Sequence, residues 1–67
     1  MIDISLNNER QQLAENTSLD NALLHWGFSD AKIAVAINNE FVPRSTYAQR
    51  IIINGDLIDI VKPVGGG

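Results

Sequence analysis

Asn54-Gly55-Asp56-Leu57-Ile58-Asp59-Ile60-Val61 is the stretch from which the fold of this chain can be worked out. Asn-Gly is the strongest short hairpin signal, because both residues tolerate φ > 0. After it, Ile58 and Ile60 fall on one side of an extended chain and Leu57, Asp59 and Val61 on the other, the period-2 pattern of a half-buried strand. Only Lys62-Pro63-Val64 separates this strand from Gly65-Gly66-Gly67. Glycines have no side chain to bury, and ordering them costs more backbone entropy than ordering any other residue. A frayed terminus is the plain explanation of such an ending. The position directly after a strand suits another: a thin arm ending in a carboxylate threads a narrow slot on a second protein. A Cβ at Gly66 or Gly67 would widen that arm and restrict its φ. The chemistry would then rest on the α-carboxylate of Gly67.

At the other end, Ile2, Ile4 and Leu6 alternate with Asp3 and Ser5, which predicts a strand over 1–6. Asn7-Asn8 predicts a tight turn, with 10–13 as a return strand at a sheet edge. Thr17 is expected to cap a helix, with Asp20 favoured near its N-terminus. Leu19, Ala22, Leu23 and Trp26 fall at i, i+3, i+4 and i+7 on one face. Gly27 suits the left-handed residue that ends a helix, with Phe28 folding back onto Leu23. A helix this short needs a sheet to lie on. A strand over 33–37 would turn Ile33, Val35 and Ile37 inward and Ala34 and Ala36 outward. Asn38-Asn39 predicts a second tight turn, returning through Phe41-Val42, and Pro43 ends the pairing. Ser45 to Gln49 is expected to form a helical turn capped by Ser45 and anchored by Tyr47. Ile51-Ile52-Ile53 is expected as a short strand entering the Asn54-Gly55 hairpin. The order is β-β-α-β-β-turn-β. One helix covers the apolar faces only if the first and last strands lie centrally. The expected fold class is therefore α+β, a ubiquitin-like β-grasp roll: a mixed sheet of about five strands crossed by one main helix. Residues 1–64 form the domain and 65–67 a flexible glycine tail.

With 67 residues, the chain is one domain near the lower limit for folding unaided. It has no cysteine, hence no disulfide and no thiolate metal site. Five basic and eight acidic residues give a net charge of −3, against the basic stripe of a nucleic-acid binder. No secretory leader is expected at the N-terminus, and no apolar run approaches the about 20 residues that span a bilayer. The expected location is the cytoplasm.

Little in the body suggests catalysis. There is no phosphate-cradling loop, no paired carboxylates in a plausible cleft and no nucleophile elbow. His25 is the only histidine and lies beside the apolar helix face. Arg44 and Arg50 flank the helical turn, where surface ion pairs are the ordinary explanation and partner docking the other. The chain is expected not to be an enzyme. Ala34, Ala36, Leu57, Asp59 and Val61 should form a flat, mostly apolar outer sheet face which, with Val64, would dock a partner beside the tail.

Ala34-Val35-Ala36-Ile37-Asn38, Val42-Pro43-Arg44, Asn54-Gly55-Asp56-Leu57-Ile58-Asp59-Ile60 and the terminal Gly66-Gly67 follow one another in an order and spacing that resembles the sulfur carrier proteins of thiamine biosynthesis, prokaryotic relatives of ubiquitin. The resemblance spans nearly the whole chain, and the second half carries the specific part. It implies that an activating enzyme of the ubiquitin-activating type, an adenylyltransferase, adenylates Gly67 while Gly65 and Gly66 thread its slot. A cysteine desulfurase or rhodanese-like protein would supply sulfur, leaving a thiocarboxylate that thiazole synthase consumes. ATP and magnesium belong to the activating enzyme, so the chain itself would have no cofactor. Gly65 departs from many such carriers, which have another residue before the diglycine. It lengthens the arm by about 3.3–3.6 Å. Two further readings share the fold: a carrier for another pathway, such as the small subunit of molybdopterin synthase, and a ubiquitin-like interaction module whose tail is inert.

Overall fold

Two Asn-Asn turns set the sheet. In the computed structural model, which describes residues 1–28 and 32–62, Asn7 and Asn8 have φ of 50° and 69°, and Asn38 and Asn39 have 53° and 68°. Two successive positive φ angles define the turn whose twist matches that of the flanking strands. The first turn joins β1 (Ile2–Leu6) to β2 (Glu9–Leu13), and the second joins β3 (Ala34–Ile37) to β4 (Glu40–Val42). β5 (Leu57–Val61) enters between the hairpins, giving the order β2-β1-β5-β3-β4. It runs parallel to β1 and antiparallel to β3.

Both turns also grip β5. The Asn7 N–H donates to the Ile58 carbonyl at 2.9 Å, and the Asn7 Oδ1 accepts from the Ile60 N–H at 2.8 Å. From the other side, the Asn38 N–H donates to the Leu57 carbonyl at 2.8 Å, and its Oδ1 accepts from the Leu57 N–H at 3.0 Å. Asparagine thus supplies the left-handed backbone and a side-chain acceptor in the same residue.

The helix α1 (Leu19–Trp26) covers the inward face. Leu19, Ala22 and Leu23 meet Ile4, Val35, Ile37, Ile58 and Ile60 in one core, with Trp26 and Phe28 packed at its margin. Each fully buried aliphatic side chain contributes about 1.5–3 kcal/mol. Gly27, at φ 86°, ends the helix. Its N–H donates to the Leu24 carbonyl and that of Phe28 to the Leu23 carbonyl, the paired bonds of a Schellman motif.

Five expectations are corrected. The helix cap is Ser18, not Thr17: the Ser18 Oγ accepts from the Asn21 N–H at 3.2 Å. The Thr17 hydroxyl is already committed, donating to the Ala14 carbonyl at 2.7 Å. Ser45 caps nothing. The 3₁₀ turn Arg44–Thr46 starts from Pro43 with no side-chain cap, and the Thr46 Oγ1 donates to the Pro43 carbonyl. Ile51-Ile52-Ile53 is not a strand. Ile51 makes an isolated bridge to Ser18, and the Ile52 N–H donates to the Thr17 carbonyl, so its partner is the entry to the helix and not a sheet edge. Asn54-Gly55 consequently turns without closing a hairpin. Only Gly55 has positive φ, at 88°, and the turn is fastened to β1: the Asn54 Oδ1 accepts from the Asp3 N–H and the Gly55 N–H donates to the Asp3 carbonyl. The third strand begins at Ala34, one residue after Ile33.

Candidate functional site

The sheet face away from α1 is built by strand parity. On β5, Ile58 and Ile60 are buried, while Leu57 and Val61 are 53% and 61% exposed. Ala34 stands opposite Val61 and Ala36 opposite Asp59, which puts all five expected face residues on one surface. Phe41 joins them: it pairs with Ala36 and is 70% exposed. Sequence reasoning missed it, although Val42 turning inward already implies that Phe41 turns outward. Ser5, opposite Leu57, carries the face onto β1.

The remaining expected site residues, Val64, Gly65, Gly66 and Gly67, lie outside the described residues. Their point of departure is defined. Val61 ends β5 beside Ala34, and the Lys62 ammonium sits 5.0 Å from the centre of the Phe28 ring, within the range of a cation–π contact. Val61 and Ala34 also line a groove of about 260 Å³ with Lys32, Ile33 and Arg44. Arg44 forms a wall of a neighbouring cavity of about 190 Å³ with Asp20, Phe28 and Tyr47. The Tyr47 ring is buried. Burial pushes its phenol above the ordinary value of 10.0, and the Arg44 guanidinium pulls it part of the way back.

Asp56 is buried beneath the Asn54-Gly55 turn. Its Oδ2 accepts from the Ile53 N–H at 3.0 Å and its Oδ1 from the Asn38 side-chain amide at 3.1 Å. The satisfied carboxylate has a structural task, locking the turn that launches β5. His25 is exposed on α1. Among the described residues no group of three or more His, Cys, Asp or Glu could hold a metal ion, and no helix is long and apolar enough to cross a membrane. The geometry is that of a platform: a flat outer face on β5, the last strand before the glycines in the sequence.

Residues 4–67 match the ThiS family model. The sulfur carrier protein ThiS of Escherichia coli is 32% identical over 66 residues, covering 98% of this chain and 100% of that protein. A thiazole synthase of Paramagnetospirillum magneticum is 36% identical over 62 residues, covering 92% of this chain and 19% of that protein. The chain spans about a fifth of the length of the two thiazole synthases that it matches. The crystal structure of a thiamine biosynthesis protein (ThiS) from Geobacter metallireducens superposes with a TM-score of 0.85 over 98% of this chain and all of that one, at 20% identity, showing the same β-grasp fold. With a family match running from β1 to the last glycine and a full-length relative at 32% identity, the chain belongs to the ThiS family.

Proposed function

We propose that this chain is a sulfur carrier of thiamine biosynthesis, with residues 1–64 as a rigid body and 65–67 as the arm that delivers the Gly67 carboxylate. The observation that carries the reading is the alignment with the Escherichia coli sulfur carrier over its whole length, joined to a family match that includes the terminal glycines. A free carboxylate is a poor acyl donor, since its charge repels nucleophiles and oxide is a poor leaving group. An adenylyltransferase of the ubiquitin-activating type corrects both faults. A Gly67 oxygen attacks the α-phosphorus of ATP, pyrophosphate leaves, and a mixed anhydride with AMP results. A persulfide sulfur from a cysteine desulfurase or rhodanese-like protein then attacks the carbonyl carbon and expels AMP. A second thiolate attacks the sulfur of the donor cysteine, forming a disulfide and releasing the Gly67 thiocarboxylate.

Thiazole synthase is the proposed recipient. That proteins named thiazole synthase contain a stretch similar to this chain supports a working pair of carrier and synthase. The chain supplies positioning and no catalytic group, so it is not itself an enzyme and has no resident cofactor; ATP and magnesium are used by the activating enzyme. The proposed location is the cytoplasm, where ATP and persulfide donors are at hand.

Intact-mass measurement after incubation with ATP, magnesium, the activating enzyme and a sulfur source tests the proposal. The expected result is exchange of one oxygen for sulfur, mapped to Gly67 by fragmentation. An unchanged mass, under conditions that convert the Escherichia coli carrier, would overturn it.

A further inference from the structure

The chain carries a net charge of −3 and only five basic residues, yet three of those five gather at the end of the sheet where β5 finishes. Lys32 and Arg44 line one groove with Ile33, Ala34 and Val61. Lys62 directly follows Val61 and lies over Phe28, which lines the adjoining cavity with Arg44 and Ile33. Among the described residues, Asp20 on the wall of that cavity and Asp59 on the outer face bound the basic area. The other two cations lie elsewhere: Arg10 on β2, at the far edge of the sheet, and Arg50 where its carbonyl accepts from the Leu19 N–H.

Like charges held together raise the energy of the free molecule and favour an opposite charge on a partner. Between the cations the groove is aliphatic, through Ile33, Ala34 and Val61, so its ligand has both carboxylates and apolar groups. An inorganic phosphate would instead be met by converging backbone N–H groups, and the overall negative charge works against a nucleic acid. We propose that Lys32, Arg44 and Lys62, around this aliphatic floor, dock an acidic segment of the protein that activates the C-terminus. The inference rests on the proposed carrier function and names the chemistry of its first partner. Charge pairs here steer the encounter and fix the orientation of the body, and they do so where the arm departs.

The test compares Lys32→Glu and Arg44→Glu with Arg50→Glu, which changes net charge equally at the entry to α1. In an adenylation assay at low salt, the first two are expected to raise KM for the carrier about tenfold and to flatten its salt dependence, with kcat kept. Arg50→Glu is expected to leave KM unchanged. Equal behaviour of Arg44→Glu and Arg50→Glu, or an unchanged KM in Lys32→Glu, would overturn the proposal. Should Arg44→Glu lower the melting temperature, Lys32→Glu decides, since it lies outside any helix or strand. If the wild-type chain is not adenylated at all, the carrier function fails and the groove is judged separately. Amide shifts of Lys32, Ile33, Arg44 and Val61 are followed during titration with an oligoglutamate peptide, with oligoglutamine and tripolyphosphate as controls. Saturable shifts with oligoglutamate alone support the site; their absence, or a stronger response to tripolyphosphate, overturns it.

Discussion

Asp56 shows how one buried side chain sets the start of the central strand. Its two oxygens satisfy the Ile53 N–H and the Asn38 amide, while Asn38 in turn accepts from the Leu57 N–H. Asp56→Ala strands two donors at once and is expected to cost about 2–3 kcal/mol, read as a lowered urea midpoint with an unchanged m-value. Asp56→Asn turns an NH₂ toward one of those donors. Flipping Asn38 to relieve the clash would cost Leu57 its acceptor, so the variant is expected to fall between wild type and alanine. A midpoint unmoved by Asp56→Ala would show that the lock contributes nothing. Tyr47, the only tyrosine, offers a second reading at this scale. Its pKa is raised in the folded state by burial, against the pull of Arg44, so folding holds the phenolic proton more tightly than the unfolded chain does. The associated stability is whole below about pH 10 and is lost as pH rises through the folded pKa. Tyrosinate absorbance is expected to develop above the ordinary range. Arg44→Gln should push the midpoint higher still, because the cation favouring phenolate is gone; a downward move would contradict the assignment.

Among the elements, the helix start is the most easily checked. Ser18→Ala removes the acceptor for the Asn21 N–H and is expected to cost about 1 kcal/mol. Thr17→Ala removes only a loop bond to the Ala14 carbonyl and should cost less; the reverse order in thermal melts would restore Thr17 as the cap. The slip by one residue explains what a sequence does and does not announce. The two Asn-Asn hairpins, the helix face and the inward strand residues were legible because each is a local pattern, a pair of turn residues or a period of 2 or 3.6, whereas Asn54-Gly55, the same kind of signal, closes no hairpin. Thr17 and Ser18 are chemically near-equivalent, and the choice between them was made by the Ala14 and Ile52 backbones, which no local pattern reveals. Ile51-Ile52-Ile53 has the composition of a strand, but a strand exists only where an edge is free to pair with it. Ile52 is buried and its N–H goes to Thr17, so this one residue plugs the core while Ile51 and Ile53 stay exposed. The outer face was legible from alternation, Phe41 included had its parity been followed. The gathering of Lys32, Arg44 and Lys62 was not, because only the fold brings positions so far apart in sequence to one end of the sheet.

For the molecule as a whole, the proposed function divides the work between body and arm, and paired substitutions can separate the two. Val61→Glu places a carboxylate on the outer face opposite Ala34, at a site already 61% exposed. It is expected to change stability by no more than about 0.5 kcal/mol and to weaken docking. Ala36→Glu serves less well, since Ala36 is paired with Asp59 and like charges directly opposite are themselves destabilising. Body contacts are formed alike in the encounter and at the transition state, so their loss should raise KM and leave kcat. Gly66→Ala acts on the arm. On the proposed function melting should match wild type, but the added methyl would widen the proposed arm and displace the carboxylate from the attacking position, for which misplacement by about 1 Å costs on the order of 10²-fold in rate. Adenylation by Gly66→Ala is therefore expected to fail in kcat. Normal turnover of Gly66→Ala would dismiss the narrow slot, whereas unfolding of Val61→Glu would mean that the sheet faces had been assigned the wrong way round. If Val61→Glu lowered kcat alone, body and arm would not be separable, and the carrier would have to be described as one continuous docking surface extending to its last residue.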